Sequence, residues 1–148
     1  MNIAQWTLLI GGISAAIAVI LNALGAHALS ATLSASGMQT LFATAINIHQ
    51  MHALGLLLVG VLLMRAPNNR LWQIAAWLIL GGQLLFAGNL YWISLYGRSP
   101  AHWLTPVGGL CLILGWLAVA AGALRRTSAR TADSLSAAYQ GDARNSDQ

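Results

Sequence analysis

The chain of 148 residues is 57% hydrophobic and only 7% charged, against about 25% charged residues in an ordinary soluble domain. Its seven basic residues are all arginine, its three acids are Asp133, Asp142 and Asp147, and the first charged side chain is Arg65. So long an uncharged stretch excludes a soluble fold. The net charge of +4 sits at helix ends and in the tail, without a basic face interleaved with aromatics, and so excludes a nucleic-acid partner.

A helix crosses about 30 Å of hydrocarbon at about 1.5 Å per residue, so a span takes about 20 mostly apolar residues. Residues 3–24 are the first such segment. Along it Gly11, Ala15, Ala18, Asn22 and Gly25 recur at steps of four, three, four and three. Small residues at that spacing let helices approach closely in lipid, with left-handed packing at shallow angles. A cleaved signal peptide is the competing reading, given the small residues of "GAHALSA". It is set aside because the positively charged n-region is missing and the apolar stretch is too long. His27 falls just beyond the end of this span.

The polar stretch "SATLSASGMQT" suits a short surface segment and leads into a second span at 41–64. This span carries "IHQMHAL", in which His49 and His52 share one helix face. They lie roughly 12 and 17 Å below the surface where the span begins. "RAPNNR", with Pro67, reads as a tight polar turn before a third span at 71–92, along which Ala75, Gly82 and Asn89 stand seven apart. "YGRSPAH" is a second such turn, containing Pro100 and His102. In the fourth span, 103–124, Pro106 belongs in the first helical turn, where its missing N–H costs little. Gly108, Cys111, Gly115, Ala118 and Gly122 then repeat the small-residue stripe. Cys111, the single cysteine, reads as buried and inert, since one thiol builds neither a disulfide nor a thiolate metal site within a chain. Residues 125–148 are too poor in apolar side chains to fold alone and read as a disordered tail.

The predicted fold is therefore all-α: a domain at 1–124 forming an antiparallel bundle of four transmembrane helices, followed by a disordered C-terminal tail. Four spans place both termini on one side. Arg65, Arg70, Arg125, Arg126 and Arg130 lie close to membrane ends on that side and only Arg98 on the other, which puts both termini in the cytoplasm. Trp6 and Trp72 mark the inner interface, and Tyr91, Trp92, Tyr96 and Trp103 the outer one.

Most polar residues at depth map to the outer half of the spans: Asn22, Thr44, Asn47, His49, Gln50, His52, Asn89, Tyr91 and Thr105, with His27 and His102 just outside. The inner half adds little beyond Ser14, Gln73 and Gln83. Such groups normally face the bundle interior or a wet cavity. Three uses compete. The imidazoles and amides hold helices together by hydrogen bonds; or they bind metal, haem or quinone, imidazole being a common ligand; or histidines relay protons in a transporter. Ligands at i and i+3 on one helix supply only part of a metal shell. A transporter commonly uses an intramembrane carboxylate, and no acid precedes Asp133.

Four ordered motifs carry a family resemblance: "LGAHAL" at 24–29, "FATAINIHQMHAL" at 42–54, "LFAGNLY" at 85–91, and "LTPVGG" at 104–109 followed by Gly115 and Trp116. The chain resembles the domain-of-unknown-function 423 family of small inner-membrane proteins over about residues 5–124. That resemblance implies a four-span plasma-membrane protein in bacteria, with related small mitochondrial membrane proteins in eukaryotes, and brings no established activity. The family pattern resembles F-x-T-x-x-x-Y-Q-x-x-H-A-L, matched by Phe42, Thr44, His52, Ala53 and Leu54. Ile48 and His49 stand where the pattern has tyrosine and glutamine. The resemblance accordingly favours His27, His52, Tyr91 and Thr105 for any shared site. The function expected is that of a non-enzymatic integral inner-membrane protein without a cofactor. It would serve as an accessory subunit or assembly partner in the lipid bilayer, beside another membrane protein or a second copy of itself.

Overall fold

The computed structural model describes residues 1–124; the expectation of a disordered tail at 125–148 lies outside the described residues. Within them the chain is all helix, without a strand: α1 Ile3–Ala26, α2 Ser30–Ser36, α3 Gln39–Arg65, α4 Arg70–Tyr96 and α5 Leu104–Leu124. All but α2 are long and apolar enough to cross a membrane. The short segment after α1 is thus itself helical. It buries Leu33 against Phe42 and Ile46 of α3 and stops at Gly37, whose φ of +68° costs a residue without Cβ little.

The four long helices run antiparallel in turn, and small residues set how closely they pack. On the α1–α3 seam, a side chain at Gly11 would strike Leu57, one at Gly60 would strike Leu8, and one at Gly25 would strike the Phe42 ring. On the α4–α5 seam, Gly82 and Gly108 face each other through their backbones, Gly115 lies on Ile79 and Gly122 on the Trp72 indole. Gly55 of α3 receives the Trp116 ring of α5. Ala18 is fully buried, and Ala15 is partly buried.

At the end of the bundle that holds the start of α1 and the end of α5, Ala4, Leu56, Val59, Leu63, Trp72, Ala76 and Ile79 form the main apolar core. Trp72 is part of it rather than of an interfacial belt: it is 2% exposed and donates Nε1–H to the Val119 carbonyl at 3.1 Å. Trp6, Trp92, Tyr96 and Trp103 are each about half exposed or more. The outer surface carries Leu9, Ile13, Ile17, Leu58, Leu84, Ile113 and Leu117. A patch of that kind is incompatible with water and natural in hydrocarbon.

Polar caps close the helix ends at the turns. Asn2 and Gln5 form a reciprocal capping box on α1. Asn69 accepts from the Leu71 and Trp72 N–H groups at the start of α4 and donates from Nδ2 to the Gly122 carbonyl of α5 at 3.1 Å. One residue thereby caps α4 and ties it to the end of α5. Replacing it with alanine should destabilise the bundle by about 1–2 kcal/mol, the usual worth of an N-cap. Unfolding of purified protein in micelles by a denaturing detergent measures it.

Candidate functional site

Midway along α3, the His49 ring joins three helices. Its Nε2 lies 3.0 Å from Ser14 Oγ of α1 and its Nδ1 lies 3.2 Å from the Tyr91 hydroxyl of α4. Ser14 Oγ in turn accepts a hydrogen bond from Gln83 Nε2 of α4 at 2.5 Å. The rings of His49 and Tyr91 meet edge to face at 5.9 Å, and Phe42 meets Tyr91 in the same manner at 5.2 Å. Ser14, His49 and Gln83 are all buried.

Two of these four residues, Ser14 and Gln83, are ones that depth alone assigned to the inner half. Each lies at the middle of its helix, where the distinction between halves disappears. A signal for Ser14 was available: it stands three residues after Gly11 and four before Ala18, on the small-residue face that packs against α3.

The remaining candidates are not gathered at one point. Asn89 donates to Thr105 Oγ1 at 2.7 Å and accepts from Ser99 Oγ at 2.9 Å, which fastens α4 to the start of α5 and to the loop between them. His52 is buried, but its Nδ1–H donates to the Ile48 carbonyl of its own helix at 2.7 Å, and its ring lies tilted on Trp116 at 6.1 Å. His27 is exposed at the C-terminal cap of α1, and His102 is exposed in the loop before α5. Asn22, Thr44 and Asn47 are also exposed rather than turned inward. Among the described residues no three His, Cys, Asp or Glu side chains come together as a metal-ligand set.

The chemistry open to the His49 group follows from its donors and acceptors. A singly protonated imidazole donates from one nitrogen and accepts at the other. Either Tyr91 O–H donates to Nδ1 while Nε2–H donates to Ser14, or every direction is reversed between Tyr91 and Ser14. The series stops at the Gln83 amide, which neither gains nor loses a proton. As a set of cross-links, however, it joins α1, α3 and α4 through buried side chains.

Comparison with known proteins gives the family of the chain. The model of a family described as protein of unknown function, DUF423, matches residues 21–109. The chain is 33% identical over 118 residues to the membrane protein YwdK of Bacillus subtilis, covering 80% of this chain and 95% of that one. It is also 33% identical over 122 residues to the inner membrane protein YgdD of Escherichia coli, covering 82% and 92%. A membrane protein of Haemophilus influenzae is 31% identical over 110 residues, covering 74% and 86%. No solved structure matches the chain.

Proposed function

The chain belongs to the DUF423 family of proteins of unknown function, and on that premise we propose that this integral membrane protein is a non-enzymatic accessory or assembly subunit of a larger membrane complex. The observation that carries the reading is Asn47. Its side chain is exposed on the outer stripe of α3 shared with Met51, Leu54 and Leu58. It lies eight residues from the start of the helix, roughly 12 Å along its axis, and a 27-residue helix extends only about 5 Å past hydrocarbon at each end. An amide held there against lipid tails is costly, and in membranes it is normally used to hydrogen-bond a neighbouring helix. Ser14, His49, Tyr91, Asn89 and Thr105 bond to one another within the bundle, whereas Asn47 is directed outward, at a partner.

In this reading the bacterial inner membrane is the site of action and both termini lie in the cytoplasm. Arg65 and Arg70 flank the turn at the terminal end and Arg125, Arg126 and Arg130 follow α5 in sequence, against Arg98 at the opposite end.

Asn47→Leu provides the test, because leucine suits a lipid-facing position and should leave the fold intact. Extracted from membranes with its native lipids, the wild-type chain should migrate in an assembly larger than one 15.6 kDa chain. The variant should migrate alone, with an unchanged melting temperature. Mass spectrometry of crosslinked material distinguishes a second copy from a different protein. A wild-type monomer, or an assembly that survives the substitution, contradicts the proposal.

A further inference from the structure

Beside the His49 group a cavity of about 130 Å³ opens between α1 and α4. Leu21, Leu84 and Ala87 line it, His49, Gln83 and Tyr91 also border it, and its accessible surface is almost wholly apolar. Its mouth lies between the exposed Leu84 and Gly88, and at Gly88 an added Cβ would meet nothing within 4 Å. Gly88 is eight residues from the end of α4, roughly 12 Å along the helix, so the mouth faces hydrocarbon rather than water.

One polar atom here is unaccounted for. Gln83 is 3% exposed, its Nε2 is committed to Ser14, and its Oε1 is buried without a hydrogen-bond partner. A buried amide oxygen lacking a donor is costly, and native proteins seldom leave one so. Both ring nitrogens of His49 are already engaged by Ser14 and Tyr91. The vacant need is thus for a donor, on a side chain that borders an apolar cavity entered from lipid. An apolar cavity of about 150 Å³ holds one benzene ring, which sets the size of the occupant.

We propose that this cavity binds the hydroxylated ring of a membrane-dissolved phenol or hydroquinone, whose O–H donates to Gln83 Oε1 once the amide turns toward the cavity it borders, while its apolar tail leaves past Gly88. The ring would lie beside the Tyr91 and His49 rings, and Leu21 and Leu84 would enclose its edges. Binding is the whole of the inference; no bond in the ligand is made or broken.

Full-length protein in phosphatidylethanolamine–phosphatidylglycerol nanodiscs, with empty nanodiscs as the blank, allows a direct measurement. The probes are para-nonylphenol and nonylbenzene, which share a tail and a ring and differ in the donor. Para-nonylphenol should bind saturably, one per chain, above its partition into empty nanodiscs, and nonylbenzene at least tenfold more weakly. Gly88→Leu, which adds bulk in open space and leaves the polar group untouched, should weaken phenol binding at least tenfold without lowering the melting temperature. Three results would each overturn the proposal: no saturable binding above the blank, which would leave the cavity to water; equal binding of nonylbenzene; or full binding by the Gly88→Leu variant.

Discussion

Gly108→Ala should destabilise the bundle by about 2 kcal/mol, whereas the same change at the next residue, Gly109, should be neutral or stabilising. A Cβ at Gly108 would lie 2.6 Å from the Phe86 backbone nitrogen and 3.0 Å from the Gly82 carbonyl oxygen. Both atoms belong to the α4 backbone, so no rotamer change relieves the clash and the helices must separate. Overpacking of this kind costs about 3 kcal/mol at the upper end of its usual range, and the gain in helix propensity returns about 1 kcal/mol. At Gly109 a Cβ meets only the Phe86 ring at 3.4 and 3.5 Å, contacts a small ring shift accommodates, so only the propensity gain remains. Detergent-denaturation curves of the two variants, run side by side, check both the magnitude and the difference in sign.

His49→Leu should cost about 2 kcal/mol by the same measurement. Two cross-helix hydrogen bonds are lost, each worth about 1 kcal/mol or less in a membrane, and the Tyr91 hydroxyl is left without its partner, a further cost of about 1 kcal/mol. Ser14 retains its bond from Gln83 in that variant, whereas Ser14→Ala breaks both of its cross-helix bonds and should cost about as much. Combined with His49→Leu its effect should be smaller than the sum, because both act on one network. His52→Leu should cost less than His49→Leu, since the imidazole bond lost there runs to the turn below on the same helix and joins nothing.

The contrast between the two histidines shows where a sequence is informative and where it is not. Span number, helical class and antiparallel order follow from length and the absence of charge before Arg65, because hydrocarbon thickness admits few alternatives. The small-residue spacing likewise marks Gly11, Gly108, Gly115 and Gly122, which stand at close helix contacts. Depth, however, is only one coordinate of a side chain. Asn22, Thr44, Asn47 and His49 share the same half of the bundle, yet only His49 turns inward, because that choice depends on helix rotation about its axis. The family pattern points to His52, while the histidine that joins helices stands at a position where the pattern has glutamine. A glutamine also offers a donor and an acceptor, so the two residue types can bridge hydroxyls in the same way.

Tyr91 and Trp72 illustrate the same limit for aromatics. Composition assigns both to interfacial belts, but each has a polar hydrogen that a buried acceptor can take up. Trp72 donates to the Val119 carbonyl, and the Tyr91 hydroxyl shares a hydrogen bond with His49 Nδ1 in one direction or the other. α2 escapes notice for a different reason: its seven residues hold one buried apolar side chain, Leu33, too few to show helical periodicity.

The account rests on His49 joining α1 and α4 through its two ring nitrogens, and solid-state ¹⁵N NMR of the histidine-labelled protein in bilayers tests that most directly. Tyr91→Phe should shift the His49 Nδ1 resonance and Ser14→Ala the Nε2 resonance, with the His52 signals unmoved by either. His49 resonances that ignore both substitutions would contradict it.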